Sequence, residues 1–451
     1  MSGTSFLRKM SLNKFRKSLS SPKPDSLSIT KTEKAPVEPE EPLTPPPETQ
    51  TVLLLHAARQ PYELTDDYPV PQLQDGHEVL VRTQAIGLNP IDWKAPDFNF
   101  AIPTLPYISG RELAGTVIQA PSSSSTRLQE KDRVLVISTD YRDLRKAAYQ
   151  EYVVGLDYNT VRLPPSLTIE QGSTLGVAFV AAALALGVCA GLDFSHVLDG
   201  PDLYSLVRDL PADKLADDIR AECLDSIRSH ERAKRGDWLA VWGGSSTSAN
   251  LTIQLAKLAG LKTVAVVDKA KHGLRLANHK AIRTDLLVDS HDPERAVAIM
   301  RGNLNGKLRF GIDTRGRESA TSLLQALSPG NLGGSEQQPP AVQLKEGEAP
   351  PSPPSTPHDS TLLSAHLIGL TGLPKQTAPE GTLFHTVPIK LFHEVPAVGE
   401  ALVSWLERLL EEGLVQPPEI IDVESGLGSV NKALDRMRKG EISGGKLVVR
   451  V

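Results

Sequence analysis

The residues best spaced for chemistry lie between Gly236 and Asp268, in GDWLAVWGGSSTSANLTIQLAKLAGLKTVAVVD. Gly243-Gly244-Ser245-Ser246 is a turn small enough for backbone N–H groups to approach an anion. Past Thr247 and Ala249, helical spacing sets in from Asn250, and the helix N-terminus beside the turn carries partial positive charge. About 20 residues further on, Asp268 ends the next apolar strand, where a carboxylate can accept from a ribose hydroxyl. A pyrophosphate cradle and a ribose acceptor at this separation describe a dinucleotide site. In the G-x-G-x-x-G frame, however, the three positions are Gly244, Ser246 and Ala249. The competing reading is an ordinary strand–helix–strand crossover whose glycines only make a tight turn.

Asp268 also divides the choice of dinucleotide. A carboxylate suits the free 2′-hydroxyl of NAD and repels the 2′-phosphate of NADP. Lys269, Lys271 and His272 follow at once and could hold that phosphate, or could simply be the solvated start of a helix.

These residues need a scaffold. Trp238–Trp242 reads as a buried strand. Leu251, Leu255, Leu258 and Ala259 recur at helical spacing before Gly260, and Thr263–Val267 is a second strand. After Asp268 the rhythm continues with helices at 272–279, 293–300 and 318–327 and strands at 286–289, 309–313 and 365–370. Such alternation predicts a doubly wound parallel sheet. Before it, residues 51–170 hold short β segments at 52–55, 78–82, 113–119, 133–137 and 150–154, the pattern of a small, partly open barrel. Residues 165–190 read as helical and 191–235 as a charged helical insertion. An amphipathic helix carries Val398, Leu402, Trp405, Leu406, Leu409 and Leu410 on one face, and a shorter helix spans 427–438. The chain ends in GGKLVVRV, a strand expected to pair back into the β-rich region.

Residues 1–50 read as a disordered tail, basic and serine-rich to Lys23 and Pro/Glu-rich after Lys34; the same composition resembles a mitochondrial transit peptide. Residues 331–360 read as a Pro-rich disordered loop. The expected domains are therefore 51–190, the insertion 191–235, a nucleotide-binding domain 236–372, and a return at 373–451. A net charge of −5 without a dominant basic block argues against nucleic acid as a partner. Cys189 and Cys223 are the only cysteines, which excludes a disulfide framework and a cysteine zinc cluster and fits a reducing, cytoplasmic compartment. The apolar run Val177–Ala190 is too short and alanine-rich to be read as a membrane span.

Barrel, glycine turn and returning strand come in the order of the medium-chain dehydrogenase/reductase superfamily. NPIDWK (from Asn89), GRELAG (from Gly110), DRVLVISTDY, QEYVV, GGSSTSANLTIQLAKLAG, LRFGIDTRG and GGKLVVRV resemble its zinc-independent branch, in particular quinone oxidoreductase-like and fungal trans-enoyl reductase-like proteins. The resemblance implies an α/β fold, a Rossmann-type doubly wound parallel sheet inserted into a β-rich GroES-like domain. It also implies an NAD(P)H-dependent oxidoreductase reducing an activated C=C or a quinone, with NADPH preferred and NADH open. Zinc alcohol dehydrogenases place Cys in the first motif and G-H-E in the second; here Asp92 stands without a cysteine and Arg111 replaces the histidine. No zinc is therefore expected, and an alcohol dehydrogenase-like activity is the poorer alternative. A nucleotide-binding sensor or scaffold with weak catalysis is another.

Hydride delivery to an activated alkene needs a group to stabilise the enolate and a proton for the α-carbon. Lys94, in a loop that the resemblance places near the cleft, is the first candidate, with a plain surface lysine as the other reading. Tyr141 is a candidate donor or a packing residue. Arg111 is expected to pair with Glu112 or Asp92, and Asn89 to hold its loop. Thr371 and Gly372 are expected beside the nicotinamide, and Ala181 stands where many relatives carry a hydroxylated contact. The scattered histidines suggest no ligand pair. A small-molecule substrate follows, and a homodimer or a biosynthetic partner enzyme remains open.

Overall fold

The computed structural model describes residues 45–331 and 362–451. Six parallel strands form one sheet in the order Leu286–Asp289, Lys262–Val267, Trp238–Trp242, Leu308–Asp313, Ala365–Gly369 and Thr382–Thr386. The strand order reverses beside Trp238–Trp242, and a crevice opens at the carboxyl end of the strands at such a point. The sheet runs on past Gly372, where the sequence pattern suggested the domain ends. Thr382–Thr386 carries TLFHT, too short and mixed to register as a strand, yet it pairs residue for residue with Ala365–Gly369.

The β-rich part forms a second sheet in the order Ile420–Ser425, Lys446–Arg450, Glu78–Gly87, Glu112–Gln119, Arg133–Ile137 and Thr160–Arg162, with Tyr152–Leu156 also on Glu78–Gly87. The last strand of the chain therefore does return, pairing Val448 with Gly87 and Val449 with Ile86. A smaller three-stranded sheet holds Thr49–Leu55 between Glu63–Pro69 and Tyr107–Ile108. Thr49 and Gln50, within the expected 1–50 tail, thus belong to a strand. Gln50 is buried, bonded to Gln150 Oε1 at 3.2 Å and accepting from the Tyr152 amide at 2.7 Å, so a polar residue read as linker belongs to the core. Residues 1–44, with the targeting question, and 332–361, with most of the expected loop, lie outside the described residues.

One large apolar core joins the two parts. The helical run Ile169–Cys189 is long and apolar enough to cross a bilayer, but 89% of it is packed inside the protein. It supplies Phe179 and Leu184 to that core, and the helix Pro396–Glu411 supplies Trp405, whose ring lies 4.7 Å from Phe194. The insertion docks through Leu203, Val207, Ile219 and Cys223. Burying such side chains contributes roughly 1.5–3 kcal/mol each, which fixes the relative position of barrel and parallel sheet and hence the cleft between them.

Candidate active site

A cleft of about 360 Å³ lies between the glycine turn and the end of the chain. Its nucleotide side is Gly243, Ser245, Ser246, Thr247, Asp268, Lys271, His272 and Arg315. Opposite are Leu88, Pro90, Met437 and the strap Ile442–Lys446.

The turn is built for close backbone approach. Gly243 has φ of 79°, and a Cβ there would sit 2.4 Å from Thr314 Oγ1 and 2.7 Å from Arg315 Cγ. Gly244 packs the turn onto the sheet instead: a Cβ would lie 2.8 Å from that of Ala265. Ser246 caps the helix Thr247–Leu258, accepting from the Ala249 amide at 3.1 Å and donating to Thr314 Oγ1 at 3.0 Å. The amides of Thr247 and Ser248, without intrahelical acceptors, are left for an anion. Gly243, Ser245, Ser246 and Thr247 thus line the cleft as expected. Gly244 and Ala249 do not; Ala249 is fully buried and its amide is already spent on the cap.

Asp268 lines the cleft but is partly occupied. Its Oδ1 accepts from the Lys271 amide at 3.0 Å, capping the helix Lys269–Asn278, and its Oδ2 lies 3.6 Å from His291 Nε2. Lys271 reaches the cleft whereas Lys269 stands outside the lining, its amide bonded to Asp289 at 3.1 Å. His272 bonds Ser443 of the strap at 2.8 Å. Burial, then Arg275 and Lys271, hold its imidazole below the usual histidine range. Thr371 and Gly372 follow the carboxyl end of the neighbouring strand and face Gly316 and Arg317, outside the lining.

The barrel side holds a buried polar group that only the folded chain brings together. Lys446, on the last strand, is 3% exposed and its ammonium bonds Glu112 Oε1 and, at 3.1 Å, Asn89 Oδ1. Asn89 Nδ2 donates to the same Glu112 oxygen at 2.9 Å, and Glu112 Oε2 accepts from the Val177 amide at 2.9 Å, at a helix N-terminus. Asp92 accepts from the Asn89 amide at 2.8 Å, and the buried Tyr149 hydroxyl lies beside the carboxylate. Burial pushes the Asp92 carboxyl up to about 6, and burial pulls the Lys446 ammonium down to about 7 against the attraction of Asp92. Asn89 holds its loop, as expected. Lys446 carried no local signal; only the return of the strand places it here.

Arg111 does not pair with Glu112 or Asp92 among the hydrogen bonds and ion pairs of the described residues. Its guanidinium lies 5.3 Å from the ring centroid of Tyr141, which packs against the barrel core outside the cleft. Glu112 is already satisfied by Lys446, Asn89 and Val177, so Arg111 turns to the Tyr107 hydroxyl and the Tyr141 ring, while its charge still attracts the Asp92 carboxylate. Lys94 lies in the helix Pro90–Phe98 rather than in a loop, because Pro90 at the first position and the Asp92 bond to the Asn89 amide start a helix there. It follows the cleft-lining Pro90 by one turn but is itself outside the cleft lining, with its ammonium 5.6 Å from the Trp93 ring centroid. Ala181 sits half-buried on the helix Gly176–Leu184. Two histidines do pair, far from this cleft: His366 Nδ1 and His385 Nε2 are 3.0 Å apart, on adjacent strands whose register the sequence did not reveal.

Residues 75–165 match the alcohol dehydrogenase GroES-like domain. A trans-enoyl reductase, caaB of Aspergillus niger, is 28% identical over 407 residues, covering 90% of this chain and 98% of its own. The trans-enoyl reductase BOA5 of Botryotinia fuckeliana is 26% identical, covering 86% and 96%. The structure of a putative NADPH:quinone reductase from Bacillus thuringiensis superposes with a TM-score of 0.62 at 16% identity, over 89% of this chain and 99% of that one.

The fold is that of the medium-chain dehydrogenase/reductases.

The resemblance read from the sequence is borne out along with it. The residues around the turn suit a nicotinamide dinucleotide: a glycine of positive φ with no room for a Cβ, first-turn amides without intrahelical acceptors, and Lys271 and Arg315 at the edge of the cleft.

Proposed function

We propose that this protein is an NADPH-dependent, zinc-independent oxidoreductase that reduces an activated C=C or a quinone. The observation that carries this reading is the cleft itself, a pyrophosphate-sized turn facing a buried polar group with no cysteine and no histidine in the positions of a catalytic zinc. Relatives named trans-enoyl reductase along nearly their whole length support the carbon–carbon substrate class.

A nicotinamide held in this cleft would supply a hydride for the electron-poor carbon. This chain's residues do the rest. Gly243 and the amides of Thr247 and Ser248 hold the pyrophosphate. Lys271 and Arg315 hold the 2′-phosphate, since Asp268 spends one oxygen on the helix cap. Thr371 and Gly372 edge the nicotinamide end. Lys94 presents an ammonium along the Pro90 face to the developing enolate oxygen and supplies the proton. Lys446, Glu112 and Asn89 keep the Pro90 helix in place. Tyr141 is a positioning residue for Arg111. The protein works in the cytoplasm on a small molecule or on one carried by a biosynthetic partner enzyme.

Oxidation of NADPH measured with a panel of enones, enoyl thioesters and quinones, beside direct NADPH binding, tests this. Turnover of an enoyl or quinone substrate is expected. Tight binding without turnover on any of them would leave a nucleotide-binding sensor, and failure to bind either dinucleotide would remove both readings.

A further inference from the structure

Far from the cleft, three different metal-binding side chains converge in the interior. Cys189 ends the helical run Ile169–Cys189, Glu222 belongs to the helix Asp217–Leu224 of the insertion, and His385 lies on the outer strand Thr382–Thr386. One ligand atom from each lies within 4.8 Å of the other two. Cys189 and His385 are fully buried, and the Glu222 side chain is 14% exposed. Glu222 Oε1 is 2.8 Å from His385 Nδ1.

Charge and tautomer both bear on what these residues hold. A thiolate, a carboxylate and a neutral imidazole carry two negative charges together, the complement of one divalent cation in a place where an unbalanced charge is costly. The far nitrogen of His385 is held by His366, which stacks on Phe310 with ring centroids 5.2 Å apart and planes 11° from parallel. A ligating histidine fixed through its second nitrogen is the usual support of a metal site. If His385 donates through Nε2 to His366, its Nδ1 lone pair and the Glu222 carboxylate face each other and need a cation between them. Without a metal, a proton fills that place and His385 donates to Glu222.

We propose that Cys189, Glu222 and His385 form a zinc site, oriented by His366, that fastens the insertion to the outer strand of the parallel sheet. A mixed sulfur, nitrogen and oxygen set selects zinc over magnesium or calcium. The fourth position falls to water, because the second Glu222 oxygen already accepts from the Thr386 amide at 3.4 Å. This site is distinct from the catalytic zinc position of alcohol dehydrogenases and leaves the hydride chemistry metal-free.

Full-length protein stripped with a chelator and titrated with zinc chloride, then cobalt chloride, decides the matter. About one equivalent of either metal per chain is expected, with a thiolate-to-cobalt charge-transfer band and a rise in melting temperature on adding zinc. Cys189→Ser should abolish the band and the uptake while still binding NADPH, which shows that it folds; Cys223→Ser should retain both. His366→Phe should weaken zinc binding about 10–100-fold. Wild-type protein that takes up no zinc, or Cys189→Ser that takes up as much as wild type, would overturn the proposal. So would a cobalt complex lacking the charge-transfer band.

Discussion

The two walls of the cleft are built on different principles. The nucleotide wall is mostly local: Gly243, Ser246 and Thr247 fall within one strand–helix–strand unit, Asp268 and Lys271 open the helix that follows it, and their work is done by backbone amides and helix ends. The barrel wall is assembled from afar. Lys446 meets Asn89 across 357 residues and Glu112 across 334, and the work is done by side chains in a nearly dry interior. A local site tolerates loss of one contact because water and neighbouring amides substitute. A buried charged group has no substitute, so the barrel wall should be the more fragile in stability and the nucleotide wall the more specific in binding.

The sharpest break is Lys446→Met. It strands the Glu112 carboxylate in the interior, and removal of one partner of a buried pair costs about 3–5 kcal/mol. Urea denaturation should show that loss, and the double variant Lys446→Met/Glu112→Leu should recover much of it. A single variant within about 1 kcal/mol of wild type would mean that the pair is solvated and the two walls are alike.

Asp92 tests the same wall with the opposite sign. Its folded pKa of about 6 lies above the ordinary 3.8, so the folded state holds the proton more tightly than the unfolded one. Stability therefore falls as pH rises from about 4 to about 6 and stays lowered above that. Asp92→Asn keeps an acceptor for the Asn89 amide and removes the titration. It should flatten that slope and gain up to roughly 3 kcal/mol at pH 7, with no gain at pH 3. Denaturation midpoints across that range check it; parallel curves for the two proteins would place the carboxylate in contact with water.

The same contrast explains what could be read from the chain beforehand. The parallel sheet, the glycine turn and the returning end were legible because each is written in consecutive residues: apolar runs, Gly243-Gly244, GGKLVVRV. The strands Glu63–Pro69, Thr382–Thr386 and Ile420–Ser425 were not, because ELTDDYP, TLFHT and IIDVES lie at or near sheet edges and lack an apolar signature. The helix that carries Lys94 was not legible either, since WKAPDF looks like a loop until Asp92 is seen bonded to the Asn89 amide. The histidine pair His366 and His385 was invisible because cross-strand neighbours depend on register, and register is set by partners.

Lys94 stands on the barrel helix whose first residue, Pro90, reaches the cleft, and its own place in the reaction is the proposal to test. Lys94→Met keeps most of the aliphatic length and removes the ammonium, which lies 5.6 Å from the Trp93 ring centroid. A fall of about a hundred-fold in kcat with NADPH affinity unchanged is expected from loss of a proton donor. An unchanged kcat would return Lys94 to a surface role and turn attention to Lys446.

The smallest effect should come from Lys271→Ala on the nucleotide wall. Lys271 is exposed, its amide is held by Asp268, and its side chain faces the cleft, so truncation leaves the helix cap intact. A charged contact to a 2′-phosphate near solvent is worth about 1.4 kcal/mol, a ten-fold loss of NADPH affinity. NADH, lacking that phosphate, should bind the variant as it binds wild type. The informative quantity is the ratio of the two dissociation constants by calorimetry, because damage to the turn would weaken both dinucleotides together. Asp268→Asn moves the ratio the other way, removing the carboxylate that repels the phosphate while keeping an oxygen to cap the Lys271 amide. If Lys271→Ala leaves the ratio unchanged, Asp268 rather than the cations sets the choice, and the site prefers NADH.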